Sequence, residues 1–225
     1  MELGGSNAFV VFDDADVEAA IETAVTARFQ NAGQSCIAAK RFIITGSVYD
    51  SFLEGFTKKV KELKQGDPMS DDTYIGPMAR KDLAEELHKQ VTGSVEKGAE
   101  LLTGGELDGA SYQPTILGNV KPGMPAFDEE TFGPVAAVTR AKNEDHAIEL
   151  ATKSDFGLGA TIFTGDIDKA RHLIKDIPDG ALFVNELVKS DPRLPFGGTK
   201  NSGYGRELSK EGIREFLNIK TVYVK

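Results

Sequence analysis

The 225-residue sequence contains one cysteine, no tryptophan and three histidines. A single cysteine cannot form an internal disulfide, which suits a reducing compartment such as the cytoplasm. The histidines, His88, His146 and His172, are far apart in the sequence and have no second cysteine near them. That spacing matches no zinc motif, so we expect no metal site.

Long apolar runs and long basic runs are also absent. No apolar run approaches the ~20 residues that span a bilayer, and residues 1–20 lack the basic and apolar segments of a secretory signal. The net charge is −9, which disfavours nucleic acid and anionic membranes as partners. Residues 203–208 (GYGREL) have Leu208 where a dinucleotide fingerprint needs its third glycine. These absences argue against nucleic acid and membranes as partners and against a dinucleotide fingerprint in residues 203–208.

Short apolar runs of strand type alternate with helical patterns along the chain. The run Ala8–Phe12 leads into an amphipathic helix that ends near Gly33, and similar strands are predicted at 41–45, 134–140, 160–164 and 181–185. The segment Glu186–Arg206 is a long loop rich in Gly, Pro and Ser, and Thr221–Val224 is predicted as a closing strand. This alternation predicts an α/β fold with an open, mainly parallel sheet between two layers of helices.

The only cysteine, Cys36, lies between the end of a predicted helix and the start of a predicted strand. Its neighbours are small, which lets a ligand and backbone amides approach closely. Lys40 and Arg41 follow it and would favour a thiolate if their side chains turned toward the sulfur. A lone cysteine is more often a silent buried residue, but a position in a loop makes Cys36 a candidate nucleophile.

Five short motifs occur in an order and spacing that resemble the aldehyde dehydrogenases. They are residues 2–5 (ELGG), 33–36 (GQSC), 130–134 (ETFGP), 195–198 (PFGG) and 202–207 (SGYGRE). The resemblance implies an NAD- or NADP-dependent enzyme whose catalytic domain spans residues 1–217. It also implies that residues 218–225 are a strand of the oligomerisation region, through which the full-length protein forms a homo-oligomer. The family's N-terminal cofactor-binding domain is then absent from this chain, and we expect the chain alone to be inactive.

The resemblance assigns a role to four residues. Cys36 is the nucleophile that forms a thioester with the substrate, and Glu2 activates the water that hydrolyses it. Glu130 binds the ribose hydroxyls next to the nicotinamide of NAD or NADP, and Phe132 packs beside the ring. From sequence alone, Glu2 and Glu130 would be ordinary solvated carboxylates.

Within the family, the chain is most similar to bacterial succinate semialdehyde dehydrogenases. Ser190 stands where those enzymes have a serine that contacts the substrate, and Arg193 is close to it in the sequence. Arginine suits a bidentate contact with a carboxylate, so we expect Ser190 and Arg193 to bind the remote carboxylate of succinate semialdehyde.

Three alternatives stay open at this point. A thiol esterase would use Cys36 on activated esters with no cofactor. A non-catalytic fragment would show no selective labelling of Cys36 by electrophiles. An acylating dehydrogenase that transfers the acyl group to coenzyme A is less consistent with a glutamate at position 2.

Overall fold

Seven strands form one open sheet in the computed structural model, which describes residues 1–225. Four further short strands form two small two-stranded sheets. The strands are β1 (Asn7–Val11), β2 (Ala39–Thr45), β3 (Glu100–Thr103), β4 (Leu107–Asp108), β5 (Ser111–Tyr112), β6 (Thr115–Gly118), β7 (Val135–Ala141), β8 (Phe156–Gly157), β9 (Ala160–Phe163), β10 (Leu182–Val184) and β11 (Thr199–Lys200).

The large sheet has the strand order β10-β9-β1-β2-β7-β6-β3. Every neighbouring pair is parallel except β3 and β6, which are antiparallel. Of the small sheets, β4 pairs with β5, and β8 pairs with β11 from the Gly-rich C-terminal loop. Parallel neighbours need crossover connections, and helices supply most of them.

Seven α-helices flank the sheet. They are α1 (Val17–Phe29), α2 (Tyr49–Lys61), α3 (Lys81–Glu96), α4 (Pro125–Asp128), α5 (Glu144–Thr152), α6 (Ile167–Leu173) and α7 (Ser209–Arg214). Side chains that accept hydrogen bonds from free backbone N–H groups cap three of the helix starts, namely Asp16, Asn143 and Asp166. None of the helices combines the length and the hydrophobicity that a membrane span requires.

Two apolar cores cover the two faces of the sheet. Alternate residues of β1 divide between them, with Val10 in the core under α3 and α5, and Phe9 in the core under α1 and α2. Such alternation is what the side-chain period of a strand dictates. The predicted α/β fold, with a mainly parallel sheet between helical layers, is therefore confirmed.

An aromatic cluster ties the centre of the sheet to α2. The ring of Phe9 lies 5.1 Å from Phe42 and 5.0 Å from Phe163, and Phe42 lies 5.1 Å from Phe56. All four side chains are buried. Each buried phenylalanine contributes about 1.5–3 kcal/mol, so this cluster fixes how β1, β2 and β9 align.

The strand order brings three of the sequence motifs together at the amino-terminal ends of three central strands. Glu2 precedes β1, Cys36 precedes β2, and Glu130 precedes β7. Because β1, β2 and β7 are adjacent and parallel, their amino ends lie side by side. The sheet topology therefore gathers these three residues at one place.

The predicted strand at Thr221–Val224 does not form in the single chain. Residues after α7 make no strand pairing, and the apolar side chains of Ile219, Val222, Tyr223 and Val224 are exposed. A strand is defined by the ladder to its neighbour, and this segment has no neighbour within the chain. The prediction of a closing strand is wrong for the chain by itself.

Candidate active site

The Cys36 loop begins with a sharp change in backbone direction. Asn31, Ala32 and Gly33 all have positive φ angles, of 53°, 52° and 70°. A Cβ on Gly33 would lie 2.4 Å from both Arg28 Nη2 and the carbonyl oxygen of Gly133. Only glycine fits this close approach, so Gly33 ends the helical segment and directs the chain toward Cys36.

Arg28 joins this loop to the segment that carries Glu130. Its buried guanidinium donates hydrogen bonds to the carbonyl oxygens of Gly33 at 2.8 Å, Ala39 at 2.9 Å and Thr131 at 3.3 Å. It also bonds the carbonyl of Gly133. One side chain thus holds two loops that lie about one hundred residues apart in sequence.

Lys40, at the start of β2, turns back toward the Cys36 loop and is 0% exposed. Its Nζ donates to the carbonyl oxygens of Cys36 at 3.0 Å and Ser35 at 3.3 Å, and lies 3.3 Å from Glu130 Oε1. Burial lowers the pKa of Lys40 to about 8; the nearby charge of Arg28 acts in the same direction and that of Glu130 opposes both.

Arg41 points the other way. Its guanidinium bonds the carbonyl oxygens of Ser6, Leu150 and Ala151, the last two at the C-terminal end of α5. Consecutive strand residues face opposite sides of the sheet, so Lys40 and Arg41 cannot both face the thiol. The cation near the sulfur is therefore Lys40 alone.

The Cys36 thiol is half-buried beside the Glu2 carboxylate. Burial raises the pKa of the thiol to about 11, and the hydrogen bond to Glu2 and its negative charge act in the same direction. The Ile37 N–H and the charge of Lys40 have the opposite, smaller effect. The resting sulfur is therefore a neutral thiol next to a carboxylate that can accept its proton.

Glu2 is held in place by the C-terminal Gly-rich loop. It forms an antiparallel bridge with Gly203, and the Leu3 N–H donates to the carbonyl of Ser202 at 3.0 Å. The Met1 ammonium donates to the carbonyl of Tyr204 at 2.9 Å. Glu2 Oε1 is buried and has no hydrogen-bond partner in the chain. A buried, unpaired carboxylate oxygen beside a thiol is a costly arrangement that an incoming water or substrate would relieve.

Glu130 contacts the residues after Glu2. Its Oε1 accepts a hydrogen bond from the Gly5 N–H at 2.9 Å, and Oε2 has no partner in the chain. A Cβ on Gly4 would lie 2.5 Å from Oε2, so glycine at position 4 permits this contact. Phe132 is 40% exposed, with its ring centroid 5.9 Å from Lys40 Nζ.

Ser190 and Arg193 lie in the loop before β11, and both are exposed. The Arg193 side chain is 85% exposed, and its Nη2 lies 2.6 Å from Asp191 Oδ2. The hydrogen bonds that the Arg193 side chain and backbone donate hold the pKa of Asp191 below its usual range. The structure gives neither residue a contact with Cys36 or Glu2, so their role stays a prediction.

Sequence reasoning missed Arg28 as a site residue and did not assign a partner to Lys40. The available signal was burial, because a cation inside an apolar helical stripe or strand must find acceptors. It also did not anticipate the pairing of Gly203 with Glu2, which depends on the folded path of residues 186–206. No group of three or more His, Cys, Asp or Glu side chains is arranged to hold a metal ion.

Comparison with known proteins bears on this site. Residues 1–222 match the model of the aldehyde dehydrogenase family. The chain is 52% identical to a succinate semialdehyde dehydrogenase [NAD(P)+], Sad, of Escherichia coli, covering 99% of this chain and 49% of that protein. It is 49% identical to a succinate-semialdehyde dehydrogenase [NADP(+)] of Mycobacterium tuberculosis, covering 100% of this chain and 50% of that protein.

Solved structures agree with the sequence matches. A structure of Gox0499, solved to explain its cofactor and substrate selection, has a TM-score of 0.95 at 45% identity and covers 100% of this chain and 50% of that chain. A succinate-semialdehyde dehydrogenase of Burkholderia pseudomallei has a TM-score of 0.93 at 36% identity, covering 96% and 45%. The chain spans about half the length of the curated relatives it matches. The resemblance that the motifs indicated is confirmed, and the chain belongs to the aldehyde dehydrogenase family.

Proposed function

We propose that this chain carries the catalytic residues of an NAD(P)-dependent aldehyde dehydrogenase that oxidises succinate semialdehyde to the dicarboxylic acid. The observation that carries the proposal is the pairing of the Cys36 thiol with the Glu2 carboxylate, with Glu130 next to both segments. A single thiol beside a proton acceptor is the minimum needed for covalent catalysis on a carbonyl.

In the first step the Cys36 sulfur bonds to the aldehyde carbon, and the thiol proton passes to Glu2. The Cys36 N–H has no acceptor within the chain and is free to donate to the developing oxyanion. Loss of hydride from the adduct, which a bound nicotinamide would accept, leaves a thioester on Cys36. Once Glu2 has passed that proton to solvent, its carboxylate takes a proton from water, the water oxygen bonds to the acyl carbon, and the sulfur leaves as a thiolate.

The residues around Glu130 fit the ribose of such a cofactor. One carboxylate oxygen is fixed by Gly5 and Lys40, whereas Oε2 is free and the side chain is 22% exposed. A free carboxylate oxygen suits a sugar hydroxyl donor. The exposed ring of Phe132 offers an apolar surface for a flat heterocycle. Glu130 and Phe132 would hold the nicotinamide end of NAD or NADP.

The proposed substrate rests on the relatives and on two exposed residues. The relatives named above are succinate semialdehyde dehydrogenases. We propose that Arg193, with Ser190, binds the remote carboxylate of the substrate. Arg193 is paired with Asp191 in this chain, so the substrate carboxylate would have to replace Asp191 as its partner. A reducing, cytoplasmic location suits an enzyme whose nucleophile must stay a free thiol.

Assembly belongs to the same proposal. Residues 1–217 would form the catalytic domain, and residues 218–225 would pair as a strand with a second copy to form a homo-oligomer. Exposed apolar side chains at Ile219, Val222 and Val224 support this, because unpaired strands with apolar side chains seek partners. Light scattering should show a larger particle than the same chain without residues 218–225.

A chimera tests the catalytic proposal. This chain would replace the matching half of the Escherichia coli relative, and NADH and NADPH formation would be followed with succinate semialdehyde and with butyraldehyde. We expect cofactor-dependent turnover that Cys36→Ala abolishes. We also expect kcat/KM to favour succinate semialdehyde by at least about tenfold, or about 1.4 kcal/mol. No turnover by the chimera, or equal values for the two aldehydes, would contradict the proposed activity or substrate respectively.

The isolated chain supplies the second half of the test. Residues 1–225 hold a thiol and a carboxylate but no segment that cradles a dinucleotide pyrophosphate, so we expect no aldehyde oxidation by them alone. A thiol esterase is the alternative function, because Cys36 and Glu2 need no cofactor to cleave an activated ester. Sustained ester turnover by the isolated chain, with no gain of aldehyde oxidation in the chimera, would favour that alternative.

A further inference from the structure

The buried ammonium group of Lys40 contacts backbone carbonyl oxygens of the Cys36 loop, called the nucleophile loop below. Lys40 Nζ contacts the carbonyl oxygens of Ser35, Cys36 and Ala38 at 3.3, 3.0 and 3.5 Å. The side chain has no exposed surface. The three N–H donors of the ammonium are therefore shared among four oxygens, the three carbonyls and Glu130 Oε1.

These contacts also fix the direction in which the N–H groups of the same peptides point. A trans peptide is planar, with its C=O and N–H pointing in opposite directions. Because the carbonyls of Ser35 and Cys36 point at Lys40, the N–H groups of Cys36 and Ile37 point away from it. Neither of these two N–H groups has a hydrogen-bond acceptor within the chain. Two successive N–H groups on one side of a loop form an anion-binding concavity.

The positive charge of Lys40 acts on the site in addition to orienting the loop. The groups that face Lys40 are Arg28 of α1, Glu130 of the segment before β7, and Cys36 itself. The ammonium lies 3.3 Å from Glu130 Oε1 and favours the ionised form of the thiol. Lys40 is therefore the one cation that contacts both the nucleophile loop and the carboxylate of Glu130.

We propose that Lys40 is a positioning residue for catalysis, which turns the N–H groups of Cys36 and Ile37 toward the reacting atoms and lowers the cost of forming the thiolate. It acts through the backbone of the loop and does not touch the substrate. The inference rests on the proposed function only for the identity of Cys36 as the nucleophile.

Two reactions of the single thiol separate orientation from charge. Alkylation by iodoacetamide displaces iodide at a saturated carbon and forms no oxyanion, so its rate reports the thiolate. Acylation by p-nitrophenyl acetate passes through an oxyanion, so its rate also reports the Cys36 N–H. Both can be measured on residues 1–225 without a cofactor, because the chain has one cysteine.

The variants are Lys40→Met, Lys40→Arg and, as a matched control, Lys97→Met. Lys97 also donates to a backbone carbonyl, that of Gly123 at 2.7 Å, but lies on the surface. We expect Lys40→Met to slow alkylation at pH 7, where the wild-type ammonium is still charged, about tenfold, the effect of one pKa unit. Acylation should fall by at least a further factor of about ten as the N–H loses its orientation. Lys97→Met should match the wild type, and Lys40→Arg should recover much of both rates.

Several outcomes would overturn the proposal. If Lys40→Met lowers the melting temperature but leaves both rates equal to those of Lys97→Met, Lys40 is merely structural. If both rates fall by the same factor, the lysine supplies charge but does not orient the N–H. A wild-type chain that alkylates but never acylates would count against the proposed function, and the alkylation rates would still decide the role of Lys40.

Lys40→Arg keeps the test decisive if Lys40→Met does not fold. The pKa of Lys40 is lowered to about 8, so the wild-type alkylation rate should rise less steeply with pH as the ammonium loses its proton near pH 8. Arginine stays charged throughout, so Lys40→Arg should rise with unit slope across this range. A bend near pH 8 that persists in Lys40→Arg would show that another group causes it, and the assignment of Lys40 would be wrong.

Discussion

Glu2 and Gly203 are joined by an antiparallel bridge, and a Cβ on Gly203 would lie 2.1 Å from the carbonyl oxygen of Met1. Gly203→Ala should therefore push the segment of Glu2 away from the thiol. Because Glu2 raises the pKa of Cys36, we expect alkylation of the thiol at pH 8 to become faster. The measurement is the rate of iodoacetamide labelling followed by mass spectrometry.

Gly98→Ala is the matched control for that change. Gly98 also has a positive φ, of 101°, but a Cβ at this position would meet no atom within 4 Å. The variant should lose about 1 kcal/mol of stability through backbone strain and leave the labelling rate unchanged. Equal labelling rates in the two alanine variants would show that the bridge does not position Glu2.

Glu2→Gln should change two reactions of Cys36 in opposite directions. Removal of the negative charge lowers the pKa of the thiol, so alkylation at pH 8 should accelerate. Hydrolysis of the acylated cysteine should slow by about 10²- to 10⁴-fold, because the water loses its proton acceptor. Mass spectrometry after a pulse of activated ester measures how long the acyl group persists. Glu96→Gln, an exposed change on α3, should do neither, and a short-lived acyl group in Glu2→Gln would contradict the assigned role.

Arg28→Met should destabilise the chain by at least about 3 kcal/mol. The change leaves the carbonyls of Gly33, Ala39 and Thr131 without their shared donor inside the protein. Urea unfolding followed by circular dichroism gives the free energy. Arg171→Met removes an exposed arginine that pairs only with Asp168, and should stay within about 0.5 kcal/mol of the wild type. Similar losses in the two variants would mean that Arg28 is not the link between the two loops.

Asp179 should make stability depend on pH in an unusual direction. Burial raises the pKa of its carboxyl from 3.8 to about 6, although Arg41 and Lys200 oppose this. The folded state then binds the proton more tightly than the unfolded state, so stability falls as pH rises from about 4 to about 6. Asp179→Asn should be more stable than the wild type above pH 6 by about 1–3 kcal/mol, and the difference should vanish near pH 4.

The exposed neighbour Asp176 provides the comparison for that measurement. Asp176→Asn should follow the wild-type curve at every pH. A difference between Asp179→Asn and the wild type that stays constant between pH 4 and pH 7 would show that titration of Asp179 is not its cause.

The strands and helices were largely predictable because their patterns are local. The apolar run of β1 and the capped helix α1 follow from residues within a few positions of one another. The meeting of Glu2, Cys36 and Glu130 depends instead on the strand order β1-β2-β7. Strand order is a property of long-range packing, so local patterns do not contain it, and only the family resemblance indicated that the three residues act together.

The buried cations show a second limit of the sequence. Two adjacent charges at positions 40 and 41 must face opposite sides of a strand, but the side that faces the thiol depends on the register of β2. Arg28 lies on a helix whose pattern gives no sign of carbonyl acceptors from the segment before β7. The C-terminal segment fails for another reason, because a strand without a neighbouring strand cannot form a ladder.

The bridge between Glu2 and Gly203 also sets an order of events during synthesis. A ribosome adds about 5–20 residues per second, so Ser202 and Gly203 follow Cys36 by on the order of ten seconds. Throughout that interval the nascent thiol has no partner that holds Glu2 beside it, and it behaves as an ordinary thiol. The sulfur therefore meets the cell's oxidants and electrophiles before it acquires the burial and the neighbouring carboxylate that together keep it protonated.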